Sequence, residues 1–459
     1  MLIEMLCITK HILEKISKFS LARPHVANTN IFFRQTFGPL FLLLLCPPTV
    51  FAFWYTNTYL EGSLFRFTEF AWQQGFLSTL KTIWFPYFFG TSIAWTMLAI
   101  FASLQLILMR ILPGECYEGP ITPTGHVPLY KANRFSAFIV TVSIFLIASC
   151  YYQLFAPTII YDNFPGLLGA LNIFSLCFCF FLVLKGHYFP SNGDVGGSGN
   201  IIFDYYWGME LYPRLLGWDI KQFTNCRFGM MSWALIVISF AAKQQQLDGL
   251  SDSMFVAVAL QLIYITKFFI WEPGYLRSLD IMHDRAGYYI CWGCLVWVPG
   301  IYTSPTLYLV DHPNHLGLAL SSLLFVVGVI GILVNYLADR QRQLVRKNQG
   351  NCRIWGKEPI LTIAKYTTQT GETKQNLLLA SGWWGLSRHF HYLPELLGAF
   401  CWSAPALFEN FLPYFYFVFL TLLLTDRAFR DDQRCSKKYG EDWKIYCQRV
   451  PYKIIPFVI

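Results

Sequence analysis

Apolar residues fall along this chain in long unbroken runs, without the strict alternation of strands that face water. A run of about 20 residues is the length at which a helix crosses a hydrocarbon core of about 30 Å. Eight such runs precede residue 340, at 36–56, 86–112, 135–157, 165–185, 229–243, 253–271, 287–310 and 315–338. The fifth is short, and the first contains Pro47 and Pro48. A further apolar stretch, 395–425, is too long for one span and is interrupted by Pro405 and Pro413, which predicts a tight helical pair. The pattern predicts an all-α integral membrane protein with about ten transmembrane helices. No repeat or low-complexity tract interrupts it.

The polar segments between the runs predict an orientation. Residues 1–35 carry Lys10, Lys15, Lys18, Arg23 and Arg34 without a long apolar core. They are expected to form a cytoplasmic segment, leaving the first span to direct targeting. The stretch DRQRQLVRKNQGNCRIWGK after the eighth run is more basic still and is expected on the same side, which requires an even number of spans before it. The closing pair then returns RAFRDDQRCSKKYGEDWK to that side. Segments 113–134, 186–228, 272–286 and 339–394 would all share the cytoplasmic face, where a soluble cofactor can reach them.

Composition supports this reading: 55% of the 459 residues are hydrophobic, 14% are charged, and the mean hydropathy is +0.41. The net charge of +8 does not indicate nucleic acid, because the cations sit in short loops beside spans, where orientation and anionic lipid account for them. The thirteen cysteines are scattered through apolar runs and form no disulfide framework. Cys291 and Cys294 have Cys-x-x-Cys spacing, yet inside an expected span they read as packing.

Three polar segments carry candidate chemistry. In 186–223, Gly193, Gly196, Gly197 and Gly199 look like a phosphate cradle, but no strand precedes them, so a flexible turn is the better reading. The nearby Asp204, Glu210 and Arg214 are expected to pair with one another. In 271–289, Glu272, Asp280, His283 and Asp284 gather at a span boundary, open to structural ion pairing, an acid network for catalysis, or, least favoured, a metal. The third is SGWWGLSRHFHYLPELLG, residues 381–398. Its Trp383, Trp384, Arg388, His389, His391 and Tyr392 exceed an interfacial aromatic belt when set beside Arg342 and Arg346 upstream and Arg427, Arg430, Asp431, Arg434 and Lys437 downstream. Arginine forks bind phosphates and tryptophan faces stack on planar rings, so these segments describe a nucleotide site without a Rossmann fold.

The stretches LLLASGWWGLSRHFHYLPELLGA, DIMHDRAGYYICWGCLVWVPGIY, FDYYWGMELYPRLLGWDIKQF and LPYFYFVFLTLLLTDRAFRDDQRCSKKYGEDWKIYCQRVPYKIIP resemble the sterol reductase family from about residue 36 onward. The resemblance implies a ten-span domain over 36–459 whose C-terminal half forms the cofactor and sterol site, with NADPH bound by about 340–459. By matching motifs it implies cofactor contacts at Arg342, Arg346, Leu379, Trp384, His391, Tyr392, Asp431, Cys435, Ser436, Lys437, Lys438, Tyr439 and Tyr446, with Arg427 added as a phosphate partner. APTIIYDNFPGLLGALNIF, SFAAKQQQ and NCRIWGKEP are most similar to members that reduce the C7–C8 ring bond; the C14–C15 bond or the C24 side-chain bond are the alternatives. Three positions depart from the family pattern: His391 stands for asparagine, Tyr212-Pro213-Arg214 for Asn-Pro-Arg, and Cys294 for aspartate. The partners implied are a sterol entering from the bilayer and membrane lipid, in the endoplasmic reticulum of a eukaryote or the cytoplasmic membrane of a bacterium.

The chemistry of such a reaction sets requirements of its own. An isolated alkene accepts hydride only after a proton has made a carbocation, so the site needs an acid, a hydride source and a dry cavity. Burial can keep an acid protonated near neutral pH, and aromatic faces can stabilise the cation. Asp284, Tyr288, Glu272 and His283 are the candidate catalytic residues, with Asp284 and Tyr288 placed on one face if 271–302 is helical. The competing readings are a lipid-binding protein or transporter, against which the shortage of ionisable groups in mid-span argues, and a methyltransferase sharing the RCSKKYGEDWK module.

Overall fold

The computed structural model describes residues 31–122, 124–367 and 371–458. The expectations for Lys10, Lys15, Lys18 and Arg23 lie outside the described residues. Eight helices among the described residues are long and apolar enough to cross a membrane: Phe33–Tyr59, Ser92–Ile111, Arg134–Tyr151, Phe164–Tyr188, Gln222–Leu247, Asp252–Ile270, Gly317–Lys347 and Leu412–Tyr439. The protein is an all-α integral membrane protein. Two expected spans take other shapes. The run at 287–310 becomes Tyr288–Tyr302, wound in wide π-type turns around Pro299, followed by the short helix Ser304–Asp311. In the closing pair the first arm is the twelve-residue helix Tyr392–Ser403, which ends where the two prolines impose 3₁₀ turns, Ala404–Ala406 and Leu412–Tyr414.

The fifth span starts earlier than hydropathy places it, because Gln222–Met230 is polar yet buried. Arg227 explains how. Its guanidinium clasps Glu272 in a fork of 2.5 and 3.1 Å, and both side chains are 0% exposed. The same guanidinium also donates to Asn133 Oδ1 at 3.3 Å. Asn133 Nδ2 in turn reaches the carbonyls of Leu108 and Met109, each at 3.1 Å, at the end of the Ser92–Ile111 helix. Pairing of opposite charges is the form in which ions persist away from water, and here it is made through both terminal nitrogens of Arg227.

The polar segments expected to share one face do pack together. Tyr117 donates to Pro273 O at 3.3 Å, and Arg285 donates to Gly196 O. The ammonium of Lys221, 1% exposed, donates to the carbonyls of Asp280, Ile281 and Asp284 at 3.0, 2.7 and 2.7 Å. Among the described residues three antiparallel hairpins decorate this end, the largest pairing Leu361–Thr367 with Thr373–Leu379. The mutual pairing expected of Asp204, Glu210 and Arg214 does not occur. Glu210 accepts from Lys185 at 2.7 Å and from Ser191 N at 2.6 Å, Asp204 accepts from Ser198 N at 2.7 Å, and Arg214 donates to Leu129 O. The glycine loop is a turn held by these contacts.

Close helix packing sets the frame of the site. Gly328 and Gly331 let the Gly317–Lys347 helix press against its neighbours. A Cβ at Gly328 would meet Leu260 at 2.6 Å, and one at Gly331 would meet Pro394 O at 3.1 Å. Small residues at helix contacts are the usual device for close approach in lipid. Here the approach lets Asn335 donate to His391 O at 2.8 Å, locking the start of Tyr392–Ser403 against the longer helix. The opposite, lipid-facing side of Gly317–Lys347 exposes Leu323, Val326, Ile330 and Leu333 at steps of three and four.

Candidate active site

One cavity of about 900 Å³ runs from the polar end into the helical bundle. That is near the upper end of the usual range for small-molecule sites, about 300–1,000 Å³. Of the cofactor positions inferred from the sequence, Arg342, Arg346, Leu379, Trp384, His391, Tyr392, Arg427, Asp431, Cys435, Lys438, Tyr439 and Tyr446 line it. Ser436 and Lys437 do not: the helix turns them outward, and both are exposed.

The mouth is basic and aromatic. Arg342 lies 4.2 Å over the Trp384 ring while donating to Asp339 at 2.9 Å. Trp384 is fixed in turn by its indole N–H, which donates to Ala338 O at 2.7 Å, and its ring lies 4.9 Å from His391. Arg346, exposed one turn further out, has no carboxylate partner among the described residues. Asp431 is held by Arg434 at 2.5 Å, and Arg427 is paired with Asp280. Tyr446 donates to Leu379 O at 3.1 Å, and Lys438 sits 3.8 Å over Tyr366 of the larger hairpin, which tie that hairpin to the wall.

The histidines here carry no charge. Burial pushes His389 down to about 4 and His391 down to about 3, with Arg342 adding to the effect, so both rings are neutral at physiological pH. They offer stacking and single hydrogen bonds, and anion binding falls to the arginines. His391 Nδ1, His389 Nε2, Arg342 Nε and Arg427 Nε are buried without a hydrogen-bond partner, although Arg342 and Arg427 are already paired to Asp339 and Asp280 through other nitrogens and His389 Nε2 stands 3.8 Å from Asp431. Buried polar atoms of this kind ordinarily have partners, and these four line the cavity, where N–H groups suit a polar ligand with acceptors.

The acid segment differs from expectation. Glu272 is outside the cavity, committed to Arg227. Asp284 and Tyr288 do not share a helix face: Leu279–Met282 is a single turn, Gly287 is extended, and Tyr288 opens the π-type helix. Asp284 does not line the cavity, its Oδ1 stands 3.6 Å from Arg430, and its Oδ2 is unpartnered. Tyr288 lines the cavity, stacked 4.7 Å on Trp292. His283 also lines it, accepting from Arg434, and burial drives it down to about 3.

Asp284 makes a testable contribution to stability. Burial, reinforced by the Asp280 carboxylate, pushes its carboxyl up from 3.8 to about 6. A raised carboxyl stabilises the fold below its unfolded value, and the contribution is lost as pH rises through about 6. At 1.36 kcal/mol per unit the loss is about 3 kcal/mol. Asp284→Asn is therefore expected to remove this part of the pH dependence and raise the unfolding temperature at pH 7.5 more than at pH 4.5. Equal shifts at both pH values would refute the assignment.

A group that sequence reasoning passed over lies deeper. Tyr264 donates to Glu395 Oε1 at 2.5 Å, Lys267 stands 4.0 Å from Glu395 Oε2 and bonds Asn335, and all four residues line the cavity. The signal was slight, since Lys267 is an ionisable residue in the last turn of the helix Asp252–Ile270. Around it the inner end is aromatic. Tyr302 lies 4.4 Å from Tyr416, and Trp297 lies 5.4 Å from Phe419. Among the described residues no cluster of three metal-type ligands occurs.

A cavity with an arginine-rich aromatic mouth and a largely aromatic inner end, set in a bundle of membrane-spanning helices, defines the site of a polytopic membrane protein. The chain belongs to the ergosterol biosynthesis ERG4/ERG24 family, whose sequence pattern matches residues 33–459. It is 52% identical over 419 residues to the 7-dehydrocholesterol reductase of Arabidopsis thaliana, covering 91% of this chain and 96% of that protein. It is 38% identical to the 7-dehydrocholesterol reductase of Xenopus laevis, with 79% of each chain covered. To the delta(14)-sterol reductase of Methylotuvimicrobium alcaliphilum it is 35% identical, covering 92% and 94%.

Proposed function

We propose that the protein reduces a carbon–carbon double bond of a sterol, the C7–C8 ring bond foremost, with NADPH as the reductant. The observation that carries this reading is the continuity of one cavity from Arg342, Arg346 and Trp384 at the mouth to the apolar, aromatic interior. The similarity to 7-dehydrocholesterol reductases supports the C7–C8 bond. Reduction at C14–C15 is the second reading, favoured by the similarity to delta(14)-sterol reductases and tested in the same assay.

In this reading Arg342 and Arg346 hold the phosphates, Trp384 and His391 form a stacking wall, and Asp431 stays fixed by Arg434 beside His389, its carboxylate 3.8 Å from Nε2. When bound, the reduced nicotinamide supplies hydride. The apolar interior excludes water and receives the sterol from the bilayer. The rings of Trp297, Tyr302 and Tyr416 face the space where a carbocation forms, and their electron-rich faces lower its energy. The membrane in question is the endoplasmic reticulum of a eukaryotic cell or the cytoplasmic membrane of a bacterium, with the cavity mouth toward the cytoplasm.

The test is turnover by the full chain in lipid nanodiscs. With NADPH and 7-dehydrocholesterol, cofactor oxidation is expected to depend on the sterol, and the product should gain two hydrogens at C7–C8. Substrates unsaturated at C14–C15 or C24 report the alternatives. Absence of sterol-dependent oxidation with all three would overturn the reading.

A further inference from the structure

A second cavity, of about 500 Å³, lies at the polar end of the molecule, and its lining shares no residue with the first. Three segments build it. Met109 and Arg110 come from the end of the Ser92–Ile111 helix, Leu129, Tyr130, Lys131 and Asn133 lead into Arg134–Tyr151, and the small hairpin of Arg214–Leu215 with Trp218–Asp219 closes it. Set beside the ends of two spans, it stands at the depth of lipid headgroups.

The lining is cationic. Arg110 and Lys131 are exposed and Arg214 is half-buried. Lys131 donates to Arg110 O at 2.8 Å and Arg214 donates to Leu129 O, but none of the three cations forms an ion pair among the described residues. Trp218 is fixed by its indole N–H, which donates to Leu106 O at 3.1 Å, and the Arg110 guanidinium lies 5.6 Å over its ring. Asp219 is the single carboxylate in the lining. It is 5% exposed, and its Oδ1 accepts from Gln222 N at 2.8 Å while Oδ2 is buried without a partner.

The plain alternative is stitching: the cations tie loop carbonyls together, Arg110 reaches toward water as long side chains at span ends do, and Asp219 caps the helix that starts at Gln222. That accounts for Oδ1 and for two of the cations. It leaves Oδ2 and the positive charge unanswered, and it does not explain the hairpin tip. Leu216 and Gly217 form a two-residue turn with φ of 51° and 88°, where asparagine and glycine are the residues that fit. A leucine is strained there, yet this one is 81% exposed. Ile111, Leu129 and Leu215, on or next to the lining, are exposed as well. Basic pockets between the ends of membrane helices are a usual seat of lipid headgroups.

We propose that this cavity binds a glycerophospholipid whose headgroup carries a primary amine. Arg110, Lys131 and Arg214 take the phosphate, the amine donates to Asp219 Oδ2, and Leu216 lies among the acyl chains. Trp218 packs against the glycerol between them. The bound lipid joins two span ends to the hairpin and so stabilises the fold. Neither NADPH nor a sterol takes part, so the site stands apart from the reductase reading.

The experiment uses the full chain, delipidated in detergent and titrated with phosphatidylethanolamine, phosphatidylcholine or soluble glycerophosphoethanolamine. Bound lipid is counted by native mass spectrometry, and the unfolding temperature is followed alongside. One phosphatidylethanolamine is expected to stay bound and to raise the unfolding temperature at lower concentration than phosphatidylcholine, whose quaternary nitrogen has no N–H to donate. Arg110→Gln with Lys131→Gln should weaken phosphatidylethanolamine about thirtyfold. Asp219→Asn keeps the cap on Gln222 and should erase the preference between the two lipids. Leu216→Asn suits the turn, so it should hold the lipid-free unfolding temperature while lipid retention falls; this variant decides the matter if the others unfold. Equal affinity of the unmutated chain for both lipids would overturn the proposal, as would unchanged retention in the Arg110 and Lys131 variant, which marks lipid bound nonspecifically around the bundle. Displacement of the lipid by an equal concentration of glycerophosphoethanolamine would show a site for a soluble phosphodiester and overturn it too.

Discussion

Glu272→Gln is expected to be among the most damaging single changes to the fold, costing about 3–5 kcal/mol. The substitution removes one charge of a pair that is 0% exposed on both sides, stranding the Arg227 guanidinium where neither water nor another carboxylate reaches it. The damage should spread, because Arg227 also holds Asn133, which caps the carbonyls of Leu108 and Met109. A sharp loss of monodisperse protein in detergent and a lower unfolding temperature are the readouts. Arg227→Met with Glu272→Met should recover part of the loss, since removing both charges also removes their desolvation cost. An unfolding temperature for Glu272→Gln equal to that of the unmutated chain would show that the pair contributes nothing net.

Arg342→Ala with Arg346→Ala is expected to raise the NADPH KM about a hundredfold while leaving expression intact. A hydrogen bond to a charged group contributes about 1.5–3 kcal/mol. Arg346 is solvent-exposed and Arg342 is half-buried, so the lower figure applies to each, and about 3 kcal/mol in total is about two decades. Arg346→Ala alone should cost about tenfold. The double variant should also lose discrimination against NADH, which lacks the 2′-phosphate. Equal use of NADH and NADPH by the unmutated chain would remove the phosphate role from both residues.

The long helices were legible because hydropathy and length decide them together, and 253–271 was expected where Asp252–Ile270 stands. The mouth of the cavity was legible too, because its residues lie in short sequence blocks: Arg342 and Arg346 one turn apart, Trp384 to Tyr392, and Asp431 to Tyr446. What could not be read was whatever depends on distant partners. Gln222–Met230 looked like loop because Glu272, which neutralises Arg227, lies 45 residues away. Tyr264 and Glu395 are 131 residues apart, so nothing local marks them as a pair. Asp284 and Tyr288 were aligned on the assumption of continuous helix, and the extended Gly287 breaks that alignment.

The Arg227–Glu272 clasp also bears on how the chain enters a bilayer. Gln222–Leu247 and Asp252–Ile270 form a hairpin, and the clasp joins its two open ends at the polar side. Released singly into lipid, the first helix would carry an unpaired guanidinium and the second would end in an unpaired carboxylate, each costing several kcal/mol. Released together, they enter with these two charges already neutralising each other. Biogenesis should therefore favour holding the first helix beside the insertion machinery until residue 272 has been synthesised. Partner trapping by site-specific crosslinking at Ala234 should show that helix lingering there in the natural chain, and lingering longer still when Glu272 is replaced.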